Sequence, residues 1–250
     1  MNDFVSNPGL APDIDYSAPI EFDKTPIRVT VPVYLQKIYW WAYVHPNAIK
    51  VFEREWLVNL ILFGNYSALR DAALADIGTQ AKGKTLQVAC AYGDLTPRLR
   101  ERIAEDGQLH VIDVLPIQLQ NLKRKLPPDH RVSLIQRDSS ALGFLDHTYD
   151  RALVFFLLHE QPENVRRRTL EEACRVVKPG GQVIIVDYHR PDNWNPVRHP
   201  LRALLRKLEP YADDLWNNEI ESFLPNDIAF SKIEKKTYFG GLYQKIVITR

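Results

Sequence analysis

Short apolar runs recur along the C-terminal two thirds of the chain, and stretches with helical spacing separate them. The runs predict strands at Thr85–Ala89, His110–Asp113, Val132–Ile135, Tyr149–Leu157 and Gln182–Val186. Between them the pattern predicts a helix capped by Thr96, with Pro97 at its first position and its end at Ala104. Two more follow, over Pro116–Lys125 and over Asn164–Val177, the latter closed by Lys178-Pro179-Gly180-Gly181. Leu201–Leu224 reads as mainly helical. Phe230–Tyr238 and Leu242–Thr249 read as a hairpin around Gly240-Gly241. Five strands alternating with helices, plus a terminal hairpin, predict a doubly wound, mostly parallel seven-stranded α/β sheet. In such sheets ligands sit at the carboxyl ends of the strands.

Upstream the pattern changes twice. Residues 1–32 carry five prolines and few paired apolar positions, which predicts an extended or disordered arm. Residues 33–80 predict an aromatic-rich helical cap, broken into two helices at Pro46, and residues 81–250 the sheet domain. The cap's stripe of Trp40, Trp41, Trp56 and Phe63 has two readings. It packs over the sheet edge as core, or it forms a lid or interfacial face where tryptophan meets a lipid boundary. Lys37, Lys50, Arg54 and Arg70 lie close by and would attract anionic lipid.

Composition narrows the partners. Thirty-two Lys and Arg nearly balance 31 Asp and Glu, so no overall field draws nucleic acid. Cys90 and Cys174 fall in predicted core elements with no framework spacing, as expected in a reducing compartment. The longest apolar stretch, Trp56–Phe63, is interrupted by Asn59 and is far short of the ~20 residues that span a bilayer. A cytoplasmic protein is expected, peripheral on the inner face of the membrane if the cap binds lipid. The Arg166-Arg167-Arg168 run on a predicted surface helix is expected to be solvated. No pattern speaks to an oligomeric state.

The chemistry gathers at strand ends. Nucleotide-binding α/β proteins place an acidic residue and a Gly-x-Gly-x-Gly turn after the first strand, so that backbone can approach the ligand closely. Here Gln87 occupies the acidic position, Ala89 and Ala91 replace two glycines, Tyr92 enters the wall, and Gly93 alone survives. Asp113 ends the second strand, where a carboxylate can take the two hydroxyls of a ribose or act as a helix cap. Asp138, with Ser139 and Ser140, is either an adenine-amino acceptor or a plain Asp-Ser turn. Further on, His159-Glu160 follow the fourth strand, and Asp187 and His189 follow the fifth at same-face spacing. Imidazole and carboxylate donors together suit manganese or iron. The same residues also read as ordinary polar strand ends, with His159 or Glu160 free to act as a base. Asp192 and His199 are weaker candidates.

In order and spacing these segments, with Tyr149-Asp150 opening the fourth strand, resemble the class I S-adenosylmethionine-dependent methyltransferases over roughly Gly83–Arg250. That resemblance implies Asp113 on the ribose, Asp138 and Ser139 near the adenine, and Gln87, Ala89, Ala91, Tyr92 and Gly93 around the methionine half. With the aromatic segment Tyr39–Ala48, its continuation Phe52–Tyr66 and the loop Ala89-Cys90-Ala91-Tyr92-Gly93-Asp94, the chain is similar to the rhodoquinone-biosynthesis family. Those proteins are methyltransferase-like enzymes. The resemblance implies conversion of ubiquinone to rhodoquinone, a ring methoxy group being replaced by an amino group. S-adenosylmethionine is then the nitrogen donor, with manganese in support. His159, Glu160, Asp187 and His189 are the residues offered for that metal, and Tyr92, His159 and Glu160 for catalysis. Removing the acid at position 87 makes sense in that chemistry, because an amine must lose its proton before it can attack. A conventional methyltransferase acting on a quinone or lipophilic phenol is the alternative. A noncatalytic cofactor-binding module is a third reading.

Overall fold

The structure is a computed structural model that describes residues 29–39, 54–90 and 92–250. Most of the arm and the centre of the cap, including Trp40, Trp41 and Pro46, therefore lie outside the described residues, as does Ala91. The described elements are α1 (Val33–Lys37), α2 (Glu55–Ile61), α3 (Tyr66–Ile77), β1 (Ala81–Val88), α4 (Leu95–Arg102), β2 (Ile103–Asp113), α5 (Pro116–Lys125) and β3 (Val132–Gln136). They continue with β4 (Tyr149–Phe155), α6 (Glu163–Val176), β5 (Val177–Tyr188), α7 (Arg198–Leu208), α8 (Ala212–Asn217), β6 (Lys232–Tyr238) and β7 (Tyr243–Thr249). Short 3-10 turns lie at Leu158–Glu160 and Ile220–Phe223.

The strands form one sheet in the order β3-β2-β1-β4-β5-β7-β6, parallel except for β7. The chain winds outward from β1 to β3 and then crosses to β4, so β1 and β4 flank the switch point. Val88 pairs with Ile112 on one side and Val154 on the other, and this register brings the ends of β1, β2 and β4 level. Alternate strand residues face opposite layers. Leu109, Val111, Leu153, Phe155 and Ile184 pack against α3, α4, α5 and α7, whereas Val88, Ile112, Val154 and Ile185 pack against α6.

Several boundaries differ from the sequence reading, each for a local reason. The strand Thr85–Ala89 starts earlier, at Ala81, and Gly83 permits it. Gly83 has φ +74, and a Cβ there would lie 2.7 Å from Cγ of Asp150, whose carboxylate accepts the Lys84 N–H at 2.7 Å. Asp150 thus serves the base of the sheet. α4 begins at Leu95 and not after Thr96, because the Tyr66 hydroxyl accepts the N–H groups of Asp94 (2.9 Å) and Leu95 (3.0 Å). A tyrosine from α3 does the work that the sequence assigned to a threonine cap. α2 does not run on to Tyr66, since Phe63 and Gly64 both adopt left-handed backbone (φ +51 and +78). The region Leu201–Leu224 divides at Pro210 into α7 and α8.

Arg166 is the clearest correction. It is fully buried instead of solvated, while Arg167 and Arg168 are exposed. Its guanidinium donates to the carbonyls of Leu158 (2.9 Å), Gln161 (2.9 Å) and Tyr211 (3.0 Å). Asp214 lies 3.4 Å away, and the Phe223 ring lies 4.9 Å beneath the guanidinium. Arg166→Ala is expected to destabilise the fold by about 3–5 kcal/mol, because it leaves buried carbonyls without their charged donor. Arg168→Ala, on the exposed face, should change stability by no more than about 0.5 kcal/mol, and urea denaturation of the pair checks both values.

Candidate functional site

At the carboxyl end of β1 the chain turns through Ala89, which takes the left-handed conformation (φ +69). A side chain there costs roughly 1–2 kcal/mol relative to glycine. The turn keeps a glycine-like path without the glycine. Gln87 is fully buried beneath it and donates from Nε2 to the Ala89 carbonyl at 3.1 Å. Its Oε1 is buried and has no partner among the described residues. Gly93 needs its φ of +91, and a Cβ there would lie 2.7 Å from Cζ of Tyr66. Arg70 and Arg98 hold the Asp94 carboxylate at 2.6 and 3.0 Å and keep it below the usual carboxylate range, against the opposing effect of burial.

Asp113 ties this loop to β2. One carboxylate oxygen accepts the Cys90 N–H (3.1 Å) and its thiol (3.3 Å), and the other accepts the Leu115 N–H (2.8 Å). Burial pushes Asp113 up to about 6, opposed by those backbone donors. The first oxygen already receives two hydrogens from Cys90, so a ribose hydroxyl would bind at the other oxygen or in place of the thiol hydrogen. It is not the cap of α5, whose N-cap is Leu115. Tyr92 is buried and its hydroxyl accepts from Gln118 Nε2 at 3.1 Å, which points it toward α5. Asp138 accepts both the N–H and the hydroxyl of Ser140 at 2.8 Å and so makes the Asp-Ser turn. Ser139 bonds Thr169 and Gln161, each at 2.9 Å.

Asp113, Asp138, Ser139, Ala89, Gln118, Phe156 and Glu160 nonetheless line one cavity, closed on its outer side by Pro32, Tyr34 and Leu35. The enclosed space is about 70 Å³, below the range of roughly 300–1,000 Å³ usual for ligand sites. α1 stands in the mouth, with the Tyr34 hydroxyl bonded to the Gln161 side chain. Two acceptors suit S-adenosylmethionine: the Asp113 carboxylate for a diol and the Gln87 oxygen, unpartnered among the described residues, as a neutral acceptor near the loop. Room for that ligand requires α1 to shift outward.

A second group of polar residues lies past β4 and β5. Asp187, fully buried, accepts the N–H groups of Leu158 (2.8 Å) and Tyr188 (2.7 Å) and binds His159 Nδ1 at 2.8 Å. The other ring nitrogen of His159 is 3.7 Å from Glu160 and 3.6 Å from Glu209. Burial alone would lower His159, but Asp187, Glu209 and Glu160 outweigh it and raise it to about 9. Burial raises Glu209, partly offset by His159. A protonated imidazole is a proton donor, so a base in this cluster would have to be a glutamate. His189 stands apart, with Nδ1 2.7 Å from the Gly241 carbonyl and Nε2 3.5 Å from Glu219.

The four residues offered for a metal therefore do not converge. Asp187 is spent on two backbone donors and an imidazole, and His189 faces another way. No three His, Cys, Asp or Glu side chains among the described residues form a metal-holding group. Glu209, Tyr34, Gln118 and Phe156 were not legible as site residues. Phe156, with left-handed φ of +51, carried no sequence signal at all. Glu209 had one in Pro210, which ends the preceding helix.

The fold and the strand-end site define a class I methyltransferase-like protein. Human N-acetylserotonin methyltransferase in complex with SAM superposes with a TM-score of 0.60 at 15% identity, over 88% of this chain and 60% of that one. Phosphoethanolamine N-methyltransferase 2 of Haemonchus contortus gives 0.59 at 12% identity, over 88% and 61%. At these identities the likeness establishes the fold. Residues 48–229 match the model of the ubiE/COQ5 methyltransferase family, and the chain belongs to that family. Demethylmenaquinone methyltransferase of Staphylococcus aureus (strain JH9) is 30% identical over 148 residues, which are 59% of this chain and 60% of that relative. The chain thus spans less than two thirds of the length of such relatives.

The folded value of His159 lies above its ordinary 6.5, so its contribution to stability is full below about pH 6.5 and is lost as pH rises through about 9. Thermal melts of the wild-type protein should fall across that window. In Asp187→Asn the slope should flatten, and imidazole NMR titration should move His159 back toward its ordinary value.

Proposed function

We propose that this protein transfers a group from S-adenosylmethionine to the ring of a membrane quinone, and that the group is nitrogen. One observation carries the finer reading: a neutral Gln87 with an unpartnered oxygen replaces the acid beside the cofactor loop. A carboxylate there stabilises an ammonium and keeps it from attacking; an amide stabilises it far less. When bound, S-adenosylmethionine would supply the amino group that replaces a methoxy group on ubiquinone, giving rhodoquinone. Asp113 holds the ribose, and the Asp138–Ser139 turn borders the adenine. Tyr92, fixed by Gln118, packs the loop's outer wall. Glu160, which reaches the same cavity, is placed to take the amine proton. Manganese has no ligand set in this reading, and no step runs through it. Family membership favours a second reading, conventional methylation of a quinol.

Nitrogen-15 at the amine of S-adenosylmethionine separates the two. With purified protein and ubiquinone, mass spectrometry should find the heavy atom on the ring. A methylated product and S-adenosylhomocysteine, with no heavy nitrogen transferred, would establish methylation instead. Gln87→Asp should slow amination by about tenfold or more, a barrier increase of about 1.4 kcal/mol.

The quinone places the protein at a membrane surface on its cytoplasmic side. Supporting this, Trp56 and Leu60 on α2 are 61% and 65% exposed, and Phe63 stacks on the half-exposed Phe239 at 5.9 Å. Trp194, 74% exposed, packs beside Gly240 at the neighbouring turn. No helix among the described residues is long and apolar enough to cross a bilayer. Aromatic residues at such a rim favour the lipid boundary. In sedimentation with anionic vesicles, Trp56→Ala/Leu60→Ala should bind at least about tenfold more weakly than wild type, as expected for two exposed side chains worth about 1.5–3 kcal/mol each when buried in lipid. Equal binding would remove this surface from the account.

A further inference from the structure

Behind the cofactor cavity, buried polar atoms face one another without bonding. Glu209 Oε2 is inaccessible to solvent and has no hydrogen-bond partner among the described residues. The hydroxyl of Tyr243, a residue with no exposed surface, also lacks one among them. His159 Nε2 is 3.6 Å from the Glu209 oxygen, too far for a hydrogen bond and close enough for a third atom to bridge. Native proteins satisfy nearly all buried polar groups, and each one left open costs about 1–3 kcal/mol. Two open groups beside one imidazole mark a place where a ligand atom belongs.

The walls are aromatic. The Phe156 ring is 5.9 Å from His159, 5.6 Å from Tyr188 and 5.8 Å from Tyr243. Tyr188 stands 4.9 Å from His159 and 5.6 Å from Tyr243. Glu209 acts electrostatically on the hydroxyls of both tyrosines. Phe156 also lines the cofactor cavity, so this one residue, with left-handed backbone, touches both that cavity and the aromatic cluster.

We propose that Tyr243 and Glu209, with His159 beside Glu209 and Phe156 as the wall shared with the cofactor cavity, form the acceptor subsite for the oxygenated edge of a planar quinone ring. Tyr243 donates its hydroxyl hydrogen to a ring carbonyl. Glu209 accepts from a donor on the ring or on the incoming amine. A site built around buried hydrogen-bonding atoms rejects analogues lacking the matching oxygen far more strongly than an apolar pocket does. This assignment rests on the quinone reading above and names the residues that would carry its ring recognition.

The test measures dissociation constants of wild type, Tyr243→Phe and Glu209→Gln for a short-tail ubiquinone analogue, by quenching of tryptophan fluorescence. S-adenosylmethionine binding is followed separately by calorimetry. Either substitution should weaken the quinone by about tenfold, the equivalent of one hydrogen bond to a buried group, and leave S-adenosylmethionine affinity unchanged. Because the Tyr243 hydroxyl has no partner among the described residues, Tyr243→Phe should melt at the wild-type temperature or above it, which separates ligand recognition from folding. Quinone affinity preserved in both variants would overturn the subsite while leaving the function standing. A wild-type protein that binds S-adenosylmethionine but no quinone would overturn both.

Discussion

The site depends on the buried carboxylate of Asp187. It ends β5 inside the sheet and accepts two backbone N–H groups and an imidazole nitrogen, each at 2.8 Å or less. Those bonds set the turn Leu158–Glu160 at one angle to the sheet. Arg166 grips the same turn from the opposite side through the carbonyls of Leu158 and Gln161. Held from both faces, the turn sends Glu160 into the cofactor cavity and His159 toward Glu209. Neither charge would tolerate burial alone, since an isolated ion in a low-dielectric interior is strongly unfavourable. Each is tolerated because backbone dipoles and a counter-charge surround it.

A second buried carboxylate organises the other half. Asp113 draws the β1 loop against the end of β2 and keeps Cys90 within reach of α5. The loop it holds is unusual in composition. Ala89 occupies a conformation that glycine adopts freely, so the backbone route survived when the residue changed. What the change altered is chemistry. Gln87 leaves an uncharged acceptor beside the loop, where the usual pattern has a full negative charge.

The sheet was legible because parallel strands buried on both faces read as apolar runs, and α5 was found to the residue for that reason and for its N-terminal proline. Ends were less legible. Tyr66 caps α4 from a different helix, a contact that no local pattern encodes. Arg166 was misread because three consecutive arginines look solvated, yet helical spacing turns only one of them to the core. The metal set failed for a related reason. Alternate spacing puts Asp187 and His189 on one side of an ideal strand, but β5 stops at Tyr188, and beyond it the backbone carries His189 to Gly241. Glu209 was hidden because residues 201–224 read as one helix, when the break at Pro210 is what aims its carboxylate inward.

The two halves differ in how fully their polar groups are satisfied. On the cofactor side, Asp113, Asp138 and Tyr92 already have protein partners, whereas the Gln87 oxygen has none among the described residues. At the proposed ring subsite, Glu209 and Tyr243 have open atoms among the described residues, and a bound ligand would relieve that instability. Such an arrangement favours discrimination over retention: binding strength there comes from relieving a defect, which only a molecule with oxygen in the right place can do. Discrimination between acceptors would therefore rest on the proposed ring subsite.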